Sequence, residues 1–173
     1  MKSLGIAVLT VSDTRTRDTD QSGRVLIERL EKAGHLLVDW RIVPDEMELL
    51  VDTLQQWVVD PEVQVIMTTG GTGLTGRDIT PEAVRAVITK EIPGFGELFR
   101  WLSYAKIGTS TLQSRAVAGV AINTYVFALP GSPSACEDAW DEIICFQLDG
   151  DTKPCNLVQL IPRLEESSMP AKR

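Results

Sequence analysis

Apolar residues along the chain follow two kinds of pattern, short unbroken runs and stripes with helical spacing. The runs are rich in β-branched residues, as is typical of strands that are buried on both faces. They lie at residues 5–11, 36–43, 63–67 and 125–129. The stripes repeat every three or four residues, which predicts amphipathic helices. They lie at residues 22–33, 46–58, 81–89, 97–107 and 133–146.

Strands and helices thus alternate along the chain, and this order favours one fold class. We predict an α/β protein in three layers, with a mostly parallel sheet and helices on both of its faces. Residues 116–129 depart from the alternation, because two apolar runs flank Ile122 and Asn123, which predicts a β-hairpin. Residues 1–164 are expected to form a single domain that ends in a short helix, and residues 165–173 a polar tail.

Composition and charge narrow the range of partners. The 173 residues are 43% hydrophobic and carry a net charge of −7, which argues against binding to duplex nucleic acid. A local group of backbone N–H donors still permits a small phosphorylated ligand. No apolar run reaches the roughly 20 residues that span a bilayer, and we expect no signal peptide, since the first residues run directly into a strand pattern. We therefore expect a cytoplasmic protein with no membrane partner.

The cysteines and the single histidine offer no catalytic or metal site. Cys136, Cys145 and Cys155 are odd in number and have no C-x-x-C spacing, so we expect reduced thiols. His35 follows a helix-end signal at Gly34 and is expected in a loop, not as a metal ligand. With one histidine, neither a Ser-His-Asp nor a Cys-His arrangement is credible.

The densest glycine segment lies between the strand at 63–67 and the helix that begins near Pro81. Residues 69–76 contain four glycines and three threonines. Glycine allows positive φ and close approach of a ligand, and free N–H groups in such a loop bind anions. We predict a phosphate-binding loop with Asp78 at its edge; a plain tight connection is the alternative. The segment lacks the Gly-Lys-Ser/Thr of a Walker A loop, and its G-x-G-x-x-G match at 71–76 is weak evidence for a dinucleotide.

Polar loops also follow two other predicted strands. Ser12 and Asp13 follow the first strand, and Pro130, Gly131 and Ser132 follow the strand at 125–129. The carboxyl ends of parallel strands lie along one edge of a sheet, so we expect these loops to meet there. Three helices have start signals: Ser22 and Thr80 as N-caps before the first and third, and Ser132 before Pro133. The starts near Pro81 and Ser132 would direct positive dipole ends at that edge.

Four charged residues at element ends are candidates for site chemistry. Asp13, Asp45 and Asp78 carry carboxylates that, beside a phosphate, are suited to hold Mg²⁺ or to orient a nucleophile. Capping or solvent exposure is the alternative for each acid. Arg115, which follows Ser114, is suited to bind an anion, with an ordinary surface arginine as the alternative.

Five motifs follow one another along the chain: Thr-Gly-Gly-Thr-Gly at 69–73, Asp-Ile-Thr-Pro-Glu-Ala at 78–83, Pro-Gly-Phe-Gly-Glu at 93–97, Ser-Arg-Ala at 114–116 and Leu-Pro-Gly-Ser-Pro at 129–133. In this order they resemble the MoaB/MogA family of molybdenum cofactor biosynthesis proteins. The resemblance covers residues 5–162, and the sequence of residues 107–121 is similar to that of the MoaB branch. It implies a compact α/β fold that assembles as a trimer or a hexamer.

The resemblance also implies a reaction and a site. Active members transfer AMP from Mg-ATP to the terminal phosphate of molybdopterin and release pyrophosphate. The family's two functional acids fall on Asp45 and Asp78, which are thereby implied as catalytic residues and as Mg²⁺ ligands. The nucleotide and molybdopterin loops fall on Ser12, Asp13, Gly70, Gly71, Thr72, Gly73, Ser114, Arg115, Pro130, Gly131 and Ser132.

Two other functions remain open at this point. Some bacterial MoaB proteins lack both acids, so a protein that binds molybdopterin or other pathway proteins without chemistry is the main alternative. Both acids are present here, which favours an enzyme. A dinucleotide-dependent oxidoreductase is disfavoured, because no acid follows a second strand about twenty residues after the glycine loop.

Overall fold

A computed structural model describes residues 3–168, and its centre is a single six-stranded sheet. The strands are β1 (Gly5–Val11), β2 (Leu36–Val43), β3 (Val65–Thr69), β4 (Lys90–Glu91), β5 (Val117–Ala121) and β6 (Thr124–Leu129). Their order in the sheet is β2-β1-β3-β6-β5-β4. The first four are mutually parallel, and β5 is antiparallel to both of its neighbours. The predicted α/β fold with a mostly parallel sheet is confirmed.

Helices connect most of these strands. They are α1 (Gln21–Lys32), α2 (Met47–Val58), α3 (Thr80–Val87), α4 (Pro93–Ile107), α5 (Pro133–Ala139) and α6 (Cys145–Gln147), with a π-helical turn at Trp140–Ile144 between the last two. Two 3-10 helices follow α4 and α6, at Gly108–Gln113 and Val158–Ser168. Within residues 3–168 no helix combines the length and the apolar character needed to cross a membrane.

Two hydrophobic clusters, one on each face of the sheet, produce the three layers. Successive strand residues point to opposite faces, so Ile6 and Val8 belong to one cluster and Ala7 and Leu9 to the other. The first cluster buries α1, α4 and α5 through Leu26, Leu30, Phe95, Phe99, Cys136 and Ala139. The second buries α2 and α3 through Leu50, Leu54, Trp57, Ala83 and Val84. β3 lies between the two clusters and is buried along its whole length.

Several predicted element boundaries need correction. The predicted hairpin is confirmed as β5 and β6, with Ile122 at a positive φ of 54° in its turn. The short edge strand β4 was not predicted, because two residues carry no readable periodicity. The last short helix is a 3-10 helix that continues through Ser168, so the predicted start of the polar tail at 165 falls inside it. The rest of that tail, residues 169–173, lies outside the described residues.

The first helix is capped by Asp20, and the prediction that Ser22 is the N-cap is wrong. Asp20 accepts hydrogen bonds from Gly23 N at 2.9 Å and from Ser22 Oγ at 3.2 Å. It also accepts from Thr10 Oγ1 on β1 at 2.5 Å and from Trp40 Nε1 on β2 at 3.2 Å. A carboxylate has two oxygens and can serve several donors, so it ties the helix start to two strands while Ser22 acts as a donor.

None of the three cysteines forms a disulfide, and His35 lies in the protein interior. All three thiols are free, and burial raises the pKa of Cys136 to about 12. His35 lies between α1 and β2, as predicted, but it is buried: its Nδ1 accepts from Leu4 N at 3.3 Å and its ring meets Trp140 edge-on. Burial also lowers the pKa of His35, so the neutral ring is favoured there.

The buried Asp20 cluster should contribute strongly to stability. We expect Asp20→Ala to lower the free energy of unfolding by about 3 kcal/mol, because it leaves the donors of Thr10, Gly23 and Trp40 without their acceptor. Urea unfolding measures the change. The control is Asp18→Ala, whose side chain is 98% exposed and which should change stability by less than about 0.5 kcal/mol. Equal losses in the two variants would contradict this role of Asp20.

Candidate functional site

The ends of three adjacent parallel strands meet at one edge of the sheet. β1, β3 and β6 are neighbours, and Gly70, which follows β3, donates from its N to Leu129 O at 3.0 Å. A Cβ on Gly70 would lie 2.3 Å from Val11 O, and the φ of this glycine is +99°. Only glycine fits between the two neighbouring strand ends. The predicted convergence of the three polar loops is therefore confirmed.

The glycine loop turns sharply and packs against the start of α3. Gly71 has a φ of +65°, and a Cβ there would lie 2.3 Å from Thr80 Oγ1 and 2.9 Å from Asp45 Oδ1. The Thr80 hydroxyl does not cap the helix as predicted, since it donates to Gly70 O at 2.8 Å. Thr80 N donates to Gly71 O at 3.0 Å. Thr80 thus holds the loop, because the turn brings the Gly70 carbonyl within its reach.

A cavity of about 500 Å³ lies against this loop. Nine of the predicted site residues line it: Gly70, Gly71, Thr72, Gly73, Asp78, Ser114, Pro130, Gly131 and Ser132. Ser132 caps α5 as predicted, with its Oγ accepting from Ala135 N at 3.3 Å. The volume falls within the range that holds a small organic ligand.

The rest of the cavity lining comes from residues that no sequence motif indicates. They belong to α4, the following 3-10 helix and α5: Phe99, Ser103, Lys106, Ile107, Thr111, Gln113, Ser134, Ala135 and Asp138. Lys106 is the one cation among the described lining residues, and its Nζ donates to Asp138 Oδ1. That hydrogen bond raises the pKa of Lys106. The spacing of Phe99, Ser103 and Lys106 along one helix face was the available signal for this part of the lining.

Ser12 and Asp13 line a different, open depression of about 570 Å³, beside Trp40. Asp13 accepts from Arg77 Nη2 at 2.6 and 2.7 Å and from Asp45 N at 3.1 Å. The hydrogen bond from Arg77, and then the one from Asp45 N, lower the pKa of Asp13. The loop after β1 is thus joined to the glycine loop by an ion pair, but its two predicted residues do not reach the 500 Å³ cavity.

Arg115 also lies outside that cavity. Its Nε donates to Gly73 O at 2.7 Å, its Nη2 to Asp78 O at 2.6 Å and its Nη1 to Glu82. Its backbone N donates to Thr72 O at 3.1 Å. The guanidinium therefore contacts the back of the glycine loop, and it lines a second cavity of about 290 Å³ instead.

The two predicted functional acids differ in environment. Asp78 is partly buried, which tends to raise its pKa, but hydrogen bonds from Thr75 and from the Gly73 backbone outweigh burial and lower it. Thr75 donates from its N at 2.8 Å and its Oγ1 at 2.7 Å to Asp78 Oδ2. The pKa of Asp45 is raised, first by burial and then by the negative charges of Asp13 and Asp78. Asp45 lies against the loop at Gly71, although it does not line the cavity.

Comparison with known proteins identifies the family of this chain. Residues 7–150 match the family described as a probable molybdopterin binding domain. Molybdenum cofactor biosynthesis protein B of Escherichia coli (strain K12) is 50% identical over 151 residues, which cover 87% of this chain and 89% of that protein. The protein of the same name from Bacillus subtilis (strain 168) is 44% identical over 142 residues, which cover 82% and 84% of the two chains.

A solved structure extends the likeness to three dimensions. The crystal structure of a molybdenum cofactor biosynthesis protein B has a TM-score of 0.86 and 39% identity to this chain, and the match covers 95% of this chain and 98% of the other. Sequence match, fold and order of motifs point the same way. The chain belongs to the MoaB/MogA family of molybdenum cofactor biosynthesis proteins.

Proposed function

We propose that this protein acts in molybdenum cofactor biosynthesis as a molybdopterin adenylyltransferase, with molybdopterin and ATP as substrates and Mg²⁺ as cofactor. The observation that carries the proposal is the position of Asp78, at the edge of the glycine-loop cavity and ionised by its bonds from Thr75. A carboxylate at that place is suited to recruit a metal ion to phosphate oxygens. Family membership supports the molybdopterin half of the proposal.

The cavity offers anion-binding groups of two kinds. The glycine loop supplies the backbone N–H groups of Gly71 and Thr72, because Gly70 N bonds Leu129 O and the Gly73 backbone bonds Asp78, and Lys106 supplies a positive charge. Backbone N–H groups in such a turn bind phosphate, and Lys106 can exchange its bond with Asp138 for one with a phosphate oxygen. An acidic protein can thereby hold a polyphosphate at one place.

The two acids fit Mg²⁺ by their chemistry. Neighbouring negative charge adds to burial in raising the pKa of Asp45, and a bound cation would relieve that repulsion. Mg²⁺ is commonly held by one or two carboxylates together with substrate phosphates, so Asp78 and Asp45 would suffice as its protein ligands. When bound, the ion supplies charge neutralisation to those phosphates.

The reaction then needs mainly positioning. An oxygen of the terminal molybdopterin phosphate attacks the α-phosphorus of ATP, the new P–O bond forms, and the bond to the bridging oxygen breaks so that pyrophosphate leaves with the electron pair. In phosphoryl chemistry, orientation and charge neutralisation provide most of the catalysis. We assign orientation of the phosphates to the glycine loop and Lys106, and the charge of the metal site to Asp78 with Asp45.

The alternative is a protein that binds molybdopterin without chemistry. One observation favours it: Asp13 and Arg115, both implied as ligand-binding residues, are engaged within the protein. The presence of both Asp45 and Asp78 near the glycine loop favours the enzyme. An adenylylation assay separates the two.

We also propose that the protein forms a homo-oligomer, a trimer or hexamer. Exposed apolar residues of α4 and of the 3-10 helix that follows it support this proposal. They are Leu98, Trp101, Tyr104, Ile107 and Leu112. Contiguous exposed apolar surface of this kind marks interaction sites.

Removing either acid should reduce turnover more than binding. We expect Asp78→Asn and Asp45→Asn to lower kcat by about a hundredfold or more, because the variants lose the charge that recruits Mg²⁺ in the transition state. The assay incubates protein with molybdopterin and Mg-ATP and measures adenylylated pterin and pyrophosphate. Asp52→Asn, an exposed substitution on α2, is the control. A wild type that binds molybdopterin but forms no product would favour the binding protein instead.

The same two variants should change stability in opposite directions. Because the pKa of Asp45 is raised in the folded protein, its ionised form destabilises the fold, and this loss of stability is complete at pH values above the folded pKa. Asp45→Asn removes the charge, so it should raise the Tm at pH 7, by about 2 °C for this partly exposed group. A lowered pKa means that ionised Asp78 contributes stability at pH 7, so Asp78→Asn should lower the Tm. Both differences should shrink as the pH falls through the folded pKa values. Calorimetric scans between pH 7 and pH 3 test the signs, and shifts of the same sign at pH 7 would contradict the assigned environments.

Self-association should depend on the exposed face of α4. Trp101 is 71% exposed on this chain, so we expect Trp101→Glu to dissociate the assembly by placing a charge in an apolar interface. Sedimentation velocity at micromolar concentration measures the effect. Wild type sedimenting as a 19.0 kDa monomer would rule out the oligomer.

A further inference from the structure

Arg115 ties together the two ends of the loop that carries Asp78. Its Nε bonds the carbonyl of Gly73 and its Nη2 bonds the carbonyl of Asp78, at 2.7 and 2.6 Å. These two carbonyls are the first and last of residues 73–78, which we call the acid loop. We propose that Arg115 is a positioning residue that fixes the acid loop, and with it the Asp78 carboxylate, against the cavity. The catalytic part of this inference rests on the proposed function.

The acid loop has little else to hold it. Its residues 74–77 are exposed, with Leu74 64% exposed and so outside the core. The bonds between Thr75 and Asp78 shape the loop internally but do not anchor it to the rest of the protein. Arg77 reaches Asp13, but both side chains are substantially exposed, and exposed ion pairs contribute little. The bonds from Arg115 are partly buried and are therefore the firmest tie from outside the loop.

The geometry suits arginine and no other side chain. The guanidinium is a planar fork that donates in several fixed directions, and here three of its nitrogens bond three different oxygens. The third bond goes to Glu82 in the first turn of α3, which balances the charge and orients the fork. A lysine has the same charge on a single nitrogen and cannot reproduce this set of bonds.

This role differs from that of an anion clamp. A clamp must direct its donors at the ligand, whereas Nε, Nη1 and Nη2 of Arg115 each donate to a protein oxygen, which uses three of the five N–H groups of the guanidinium. Arg115 is also absent from the lining of the cavity that contains Asp78. The ligand would contact the front of the acid loop while Arg115 supports its back.

The test combines a structural and a kinetic measurement on the full-length protein. Hydrogen–deuterium exchange of the peptide covering residues 70–80 reports the order of the acid loop without any substrate. Steady-state adenylylation with molybdopterin and Mg-ATP gives kcat and KM. The variants are Arg115→Gln and Arg115→Lys. The control is Arg85→Gln, which removes an arginine that lines the same second cavity but whose guanidinium bonds Glu91 instead of the acid loop.

We expect both Arg115 variants to exchange the 70–80 peptide at least about tenfold faster, since the loop opens locally. We expect kcat to fall by about a hundredfold, as for a misplaced catalytic group, with KM changed little and no rescue by lysine. The Arg85 variant should match wild type in both measurements.

Three results would overturn the proposal. Unchanged exchange together with a raised KM that lysine restores would make Arg115 an anion clamp. Unchanged exchange with unchanged kinetics would make it dispensable. Failure of both variants to fold would assign it to global stability, since losing a tie to one exposed loop should leave the sheet intact. If wild type forms no adenylylated product, the proposed function fails while the exchange measurement still decides whether Arg115 fixes the loop.

Discussion

The close approach of Gly70 to the neighbouring strand end is the constraint on which the site depends. The carbonyl of Val11 lies where a side chain on Gly70 would be, and the N–H of Gly70 bonds Leu129 O. The ends of β1, β3 and β6 are thereby drawn together with no side chain between them. Because of this the glycine loop turns over the sheet edge, Thr80 can reach it from α3, and the loop after β6 can face it across the cavity.

Ion pairs at this edge of the sheet connect each loop to a neighbouring element. Arg77 joins the glycine loop to Asp13 after β1, and Arg115 joins it to Glu82 on α3. Both arginines are therefore engaged in ion pairs within the protein, and Lys106 is the cation that lines the described cavity wall. Asp45 meanwhile retains a raised pKa among other acids. A partly buried carboxylate that Arg77 compensates only in part costs stability, and perturbed groups of this kind are common at functional sites.

Helix α4 contributes residues to the core, to the cavity wall and to the exposed surface. Phe95 and Phe99 are buried in the first core cluster, where Phe95 also meets Phe127 edge-on at 5.2 Å. Phe99 and Lys106 form part of the cavity wall. Trp101 lies on the exposed side. The core contacts of this helix fix the position of its cavity face, so mutations in that core would also change the shape of the site.

The sequence alone determined the fold class, most strands and helices, the hairpin and the glycine loop, because each is encoded by the spacing of neighbouring residues. It also identified eight residues of the cavity lining, since loops at the ends of parallel strands must share an edge, and the family resemblance added Ser114. Tertiary structure alone decided the distant partners of Asp20, Asp13 and Arg115, which include Thr10, Arg77 and Gly73 at separations of 10, 64 and 42 positions. It decided equally which side of α4 faces the cavity. Local periodicity carries no information on which distant donor reaches a given acceptor, and that choice is made only when the layers pack.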